Sequence, residues 1–234
     1  MTDTGGSRPE AAPDDSFAAA LRGFGPIGLL SFVIILAGNA LVVGTTGVLV
    51  LVWARASGTP WRDLGLARPR SWVLTVVAGI TSGVALKFAM KSVVMPLLGA
   101  DPINRAYHYL VGNNAALPWA LYALIFGAGF GEEMFFRGYL FERFGKRYGT
   151  GPWARAFTVA ITTVFFGVGH YQNQGLAGVQ QATIVGLAYA ILYAVTGRLW
   201  LPMIAHAAFD LTALWMIYWD LEAEVAHFFF KAAG

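Results

Sequence analysis

The sequence contains no cysteine, which excludes a disulfide, a thiolate metal site and a thiol nucleophile. It is also poor in charge. Asp, Glu, Lys and Arg make up 12% of the 234 residues, against about 25% in ordinary soluble chains, while 57% of the residues are hydrophobic. Residues 23–54 hold none of the four charged types, and neither do the 42 residues 156–197. The second run is long enough for two membrane crossings at roughly 20 residues each. These absences exclude an ordinary soluble core and point to a membrane protein in contact with lipids. The net charge of +3 fits basic residues flanking membrane segments, so no nucleic acid partner is expected.

Polar residues are concentrated at the start. Residues 1–20 open with MTDTGGSRPEAAPDDS, which lacks the basic start and apolar core of a cleavable signal and reads as a disordered N-terminal tail. Residues 21–234 read as a single transmembrane domain. Its apolar segments are Phe24 to Trp53, Trp72 to Leu98, Leu117 to about Phe141, Ala156 to His170, Ala182 to Thr196 and Leu199 to Trp219. Backbone amides in lipid must be satisfied within their own segment, and alternating barrel-strand patterning is absent. The expected fold class is therefore all-α, a polytopic transmembrane helix bundle with about six spans and a polar cavity in the membrane.

Basic residues set the orientation. Arg55, Arg62, Arg68 and Arg70 follow the first segment, and Arg137, Arg143, Lys146, Arg147 and Arg155 surround the connection after the third. Both groups are expected on the cytoplasmic side. Alternation then places the N-terminus outside, unless the first segment, with Gly38 and Asn39 near its middle, is a bent or re-entrant pair.

Ionisable groups within spans cost about 2.5 to 3.5 kcal/mol each on insertion scales, so each is a functional candidate. They are Lys87 and Lys91 in the second segment, Glu132, Glu133 and Arg137 in the third, His170 at the end of the fourth, and His206 with Asp210 in the sixth. At four-residue spacing Glu133 and Arg137 share a helix face, acid before base, while Glu132 is turned about 100° away. Arg137 is thus read as neutralising Glu133 in a structural pair. Glu132, facing the bundle without a partner, is read as a general base. Phe166 and His170 share a face, as do His206 and Asp210. Counted at about 1.5 Å per residue from the nearest basic boundary, Glu132, His170 and His206 lie at roughly 16, 22 and 12 Å. They converge only through tilted or broken helices around a water-filled cavity, expected to open to the cytoplasm.

Glu-Glu-x-x-x-Arg at Glu132 to Arg137, Phe-x-x-x-His at Phe166 to His170 and His-x-x-x-Asp at His206 to Asp210, in that order, resemble the CAAX protease and bacteriocin-processing family of intramembrane proteases. GLAYAILYAVTGRLWLPMIAHAAFD is similar to that family's approach to its last motif, and Asp63-Leu-Gly-Leu66 to its approach to an early span. The motif-bearing core covers about 62–219. The resemblance implies a membrane endopeptidase in which Glu132 activates a water with His170, while His206 and Asp210 stabilise the oxyanion or complete the polar cavity. Asp210 stands where the family often has Asn, and an ionised Asp cannot donate to an oxyanion. Orienting His206, or joining a cation site, suits it better. Rhomboid and presenilin signatures are absent.

Three questions stay open at this point. Glu132, His170 and His206 could hold a catalytic zinc, although no His-Glu-x-x-His occurs, and a metal-free water activated by Glu132 serves equally. The same fold also suits a non-proteolytic scaffold or bacteriocin-immunity protein, or a proton relay. The substrate is a peptide or membrane protein. The family implies prenylated C-terminal peptides. Alanine and glycine usage suggests a multi-pass protein of a prokaryotic cytoplasmic membrane, where a leader peptide or a membrane-bound regulator suits as well.

Overall fold

The computed structural model describes residues 16–230, and all regular elements among them are helical. Of the expected tail, residues 1–15 lie outside the described residues, and residues 16–20 open the first helix. The helices are α1 (Ser16–Arg22), α2 (Pro26–Leu41), α3 (Thr45–Ala56), α4 (Trp72–Leu97), α5 (117–148), α6 (Pro152–Gly169), α7 (Tyr171–Thr196), α8 (Trp200–Tyr218) and α9 (Glu222–Ala226). Among the described residues, α4, α7 and α8 are long and apolar enough to cross a membrane, and α1 with α2, bent by 60°, makes a fourth candidate. The expected count of about six is therefore not reached. At about 1.5 Å per residue, the 12 residues of α3 extend only about 18 Å, short of a bilayer core of about 30 Å. The helix α5 is divided between α and π geometry.

The first apolar segment is a hairpin. Val42 to Gly44 turn the chain between α2 and α3, and Gly44 takes φ 89°, a left-handed value that glycine adopts without a Cβ penalty. At the open end, Trp53 Nε1 donates to Leu21 O at 3.1 Å and Arg22 bonds Ser57 O. At the tip, Tyr122 donates to Val43 O at 3.0 Å. Residues 21 and 57 therefore lie at one end of the bundle. Of the two possibilities left by the sequence, the structure takes the bent pair, with α2 and α3 folded back on each other.

The same end gathers the basic residues. Arg143, 3% exposed, donates to the carbonyls of Leu21 and Gly23, which the end of α1 leaves without helical partners. Leu199 N–H donates to Gly65 O at 2.9 Å, bringing the start of α8 to this end as well. The opposite end is closed by residues 98–116, where Gly112 N–H donates to Tyr218 O at 3.0 Å and buried Lys91 pairs with buried Glu222 at 2.6 Å.

Close helix approach fixes the centre. Gly79 and Gly83 of α4, spaced as a small-xxx-small pair, face Ile204, Ala205 and Ala208 of α8. A Cβ at Gly83 would lie 2.9 Å from that of Ala208 and closer still to Ala205 O, so only glycine permits this crossing.

Candidate active site

The third segment departs from α geometry where its acids occur. Residues Ala123–Glu132 and Met134–Tyr139 are π-helical, a local widening that recurs at functional sites. Glu133 and Arg137 still meet, with Arg137 Nη1 donating to Glu133 Oε1 at 2.8 Å. Neither is more than 1% exposed. Arg137 Nη2 donates to Gly186 O of α7 at 2.7 Å, and its guanidinium lies 4.8 Å from the ring centroid of Phe166 on α6. One cation thus ties three helices together, as the planar fork of arginine allows.

Glu133 has a second partner that sequence reasoning missed. Its Oε1 also accepts from His206 Nδ1 at 2.7 Å, joining α5 to α8. That hydrogen bond turns His206 Nε2 toward Asp210 Oδ2 at 3.5 Å and Glu132 Oε2 at 3.9 Å. The close orienting carboxylate of His206 is therefore Glu133 rather than Asp210. No spacing rule reveals this pairing, because the partners are 73 residues apart.

Glu132 is differently placed. Its side chain is 27% exposed, and Oε2, itself buried, has no hydrogen-bond partner among the described residues. A buried carboxylate oxygen without a donor is costly unless a bound molecule or a proton satisfies it. His170 Nδ1 lies 2.8 Å from Phe166 O, and because a carbonyl only accepts, Nδ1 carries the hydrogen and Nε2 keeps its lone pair. The Phe166 ring packs against both histidines, at centroid distances of 4.8 Å to His170 and 5.9 Å to His206. Tyr189 closes the other side of His206 at 5.4 Å. It sits in an uncharged run with nothing in its spacing to distinguish it.

Glu132, His170, His206, Asp210, Lys87 and Tyr107 all line one cavity of about 380 Å³, within the usual range of about 300 to 1,000 Å³ for ligand sites. Burial holds the Tyr107 phenol above its ordinary pKa of 10, so it stays neutral at pH 7. Other lining residues, Tyr109, Leu110 and Trp119, come from the 98–122 end, and Tyr109 and Trp119 are exposed. The cavity therefore does not open at the basic end, where the sequence placed its mouth. Depths counted from basic boundaries misled, because α6 delivers His170 to the opposite end.

Among the described residues, no group of three or more His, Asp or Glu side chains is placed to hold a metal ion, so Glu132, His170 and His206 do not form a ready zinc site.

Residues 114–212 match the type II CAAX prenyl endopeptidase Rce1-like family. Over those residues, less than half of the chain, the sequence is similar to that family. The matched stretch includes Glu132, Glu133, Arg137, Phe166, His170, His206 and Asp210, so the three motifs that converge in space all lie within the part of the chain that resembles a protease family. Lys87 lies outside the matched residues. No curated protein and no solved structure matches the chain.

Proposed function

We propose that this chain is an intramembrane endopeptidase whose Rce1-like domain hydrolyses a peptide bond with a water activated by Glu132. The observation that carries the reading is the unpartnered Glu132 Oε2 facing His206 Nε2 across a cavity, with the other nitrogen of His206 fixed by Glu133. Glu132 takes a proton from water while the water oxygen bonds to the substrate carbonyl carbon and the carbonyl electrons move onto oxygen. His170, through its Nε2 lone pair, accepts from the same water and holds it. As an imidazolium His206 donates from both nitrogens, to Glu133 from Nδ1 and to the developing oxyanion from Nε2. The C–N bond then breaks and the leaving amine takes the proton from Glu132. Asp210 accepts in this arrangement and supplies negative charge beside His206, completing the polar wall.

The substrate is a membrane-associated peptide, cleaved near its C-terminus or within a leader. The protein is a multi-pass one of a prokaryotic cytoplasmic membrane. Its basic end lies in the cytoplasm by the positive-inside rule, so the cavity receives peptides from the other side. Comparing membrane peptidomes of cells with wild-type protein and with Glu132→Gln tests the reading. Uncleaved precursors should accumulate with the variant. Unchanged peptidomes would overturn proteolysis in favour of a scaffold or immunity role.

A further inference from the structure

Two lysines lie in α4 one turn apart, and the structure treats them differently. Lys91 Nζ bonds Glu222 Oε1 and Pro102 O, each at 2.6 Å, so its charge is met. Lys87 is as buried, at 7% exposure, yet it makes no ion pair among the described residues. Its Nζ donates to Gln181 Oε1 at 3.3 Å and lies 4.8 Å from the ring centroid of Phe209. An ammonium offers three donors, and one weak amide contact uses only one of them. Burying such a charge without a carboxylate is costly unless a ligand supplies the anion.

Lys87 lies between two cavities. It lines the 380 Å³ cavity of Glu132 and His206, and also a second cavity of about 500 Å³ bounded by Asn104, Gln174 and Gln181. These three residues line both spaces, so Lys87 stands where the catalytic cavity meets its neighbour. Asp210 lines the catalytic cavity as well, without reaching Lys87 within 4.0 Å.

We infer that Lys87 is a specificity residue that binds a carboxylate of the peptide substrate, its free C-terminus, with Gln181 and Asn104 beside it. Lys87 touches the substrate away from the reacting atoms. The inference rests on the endopeptidase reading and selects substrates cut close to their C-terminal end. An acidic side chain offers the same chemistry, and the two sources are separable.

The experiment uses the full chain in detergent micelles with a fluorescein-labelled decapeptide library of mixed sequence, made as C-terminal acids and as C-terminal amides. Binding is measured on Glu132→Gln and cleavage on the wild type, each with and without Lys87→Met. A charge-assisted hydrogen bond is worth about 1.5 to 3 kcal/mol, so the acid form should be favoured about 10- to 150-fold, through KM rather than kcat. In Lys87→Met that ratio should fall to about one, and Lys87→Arg should restore part of it. Melting temperatures of the variants separate loss of recognition from loss of fold. Equal handling of acids and amides by the wild type overturns the assignment, and a preference for internal Asp or Glu shifts the ligand to a side chain and overturns the terminal reading. If acids bind in a Lys87-dependent way but nothing is cleaved, the carboxylate site stands and the endopeptidase reading falls. Cleavage without acid preference gives the reverse.

Discussion

Glu133 offers the sharpest test of how the site is held. It is fully buried and satisfies two groups at once, the guanidinium of Arg137 and Nδ1 of His206. Replacing Glu133 by Ala leaves Arg137, 1% exposed, as a buried cation with only Gly186 O and aromatic faces around it. Breaking a buried pair from one side typically costs about 3 to 5 kcal/mol. At about 2 to 4 °C per kcal/mol for a chain of this size, the melting temperature should fall by about 6 to 20 °C. Adding Arg137→Met removes the stranded charge, so the double variant should recover much of that loss. Activity should behave differently. With Nδ1 released, His206 no longer holds Nε2 toward Glu132, and the double variant should remain at least about 100-fold down in kcat while its fold is restored. Differential scanning fluorimetry in micelles, with peptide cleavage beside it, reads both quantities. A double variant as unstable as Glu133→Ala would refute the stranded-cation reasoning, and one with full activity would refute the orienting role of Glu133.

Other expectations follow from packing, orientation and charge. Gly83→Val drives a side chain into Ala205 and Ala208 and should destabilise the α4–α8 crossing by about 1 to 3 kcal/mol, read by thermal unfolding. The absence of cysteine makes single-cysteine labelling direct. Exposed Tyr109→Cys should react with an impermeant maleimide in intact cells, and exposed Thr150→Cys only after permeabilisation; the opposite pattern would place the cavity mouth in the cytoplasm. In the 98–116 segment, the backbone N–H of Ile103 and then Arg105 hold the Asp101 carboxyl below its ordinary value of 3.8. A lowered folded pKa adds stability above the unfolded value, which is lost as pH falls through the folded one. Because Asp101 is exposed and screened by solvent, Asp101→Asn should cost under about 1 kcal/mol at pH 7, and a larger loss would contradict that screening.

Much of the site was legible because α-helical spacing is local. Glu133 with Arg137, Phe166 with His170, and His206 with Asp210 are each four residues apart, and each pair is in contact. The two glutamates differ as their spacing suggested in that Glu133 Oε1 accepts from both Arg137 and His206, although the Oε2 of each is without a hydrogen-bond partner among the described residues. Lys87 and Lys91 were both legible as candidates from their place in an apolar segment, but not the contrast between them. That contrast depends on Glu222, 131 residues further along.

By itself, then, the sequence determined the solvent and the chemistry of this protein. Scarce charge forces helices, because lipid offers backbone amides no alternative partner, and the few ionisable residues left must serve a purpose that outweighs their cost. Tertiary structure decided what depends on chain reversal and long-range approach. The Gly44 turn folds one apolar segment into a hairpin, and the segment 98–116 borders a cavity at the end away from the basic residues. The Glu133–His206 bond links α5 to α8. Composition and periodicity register only neighbours along the chain, whereas these features arise from which helix ends meet.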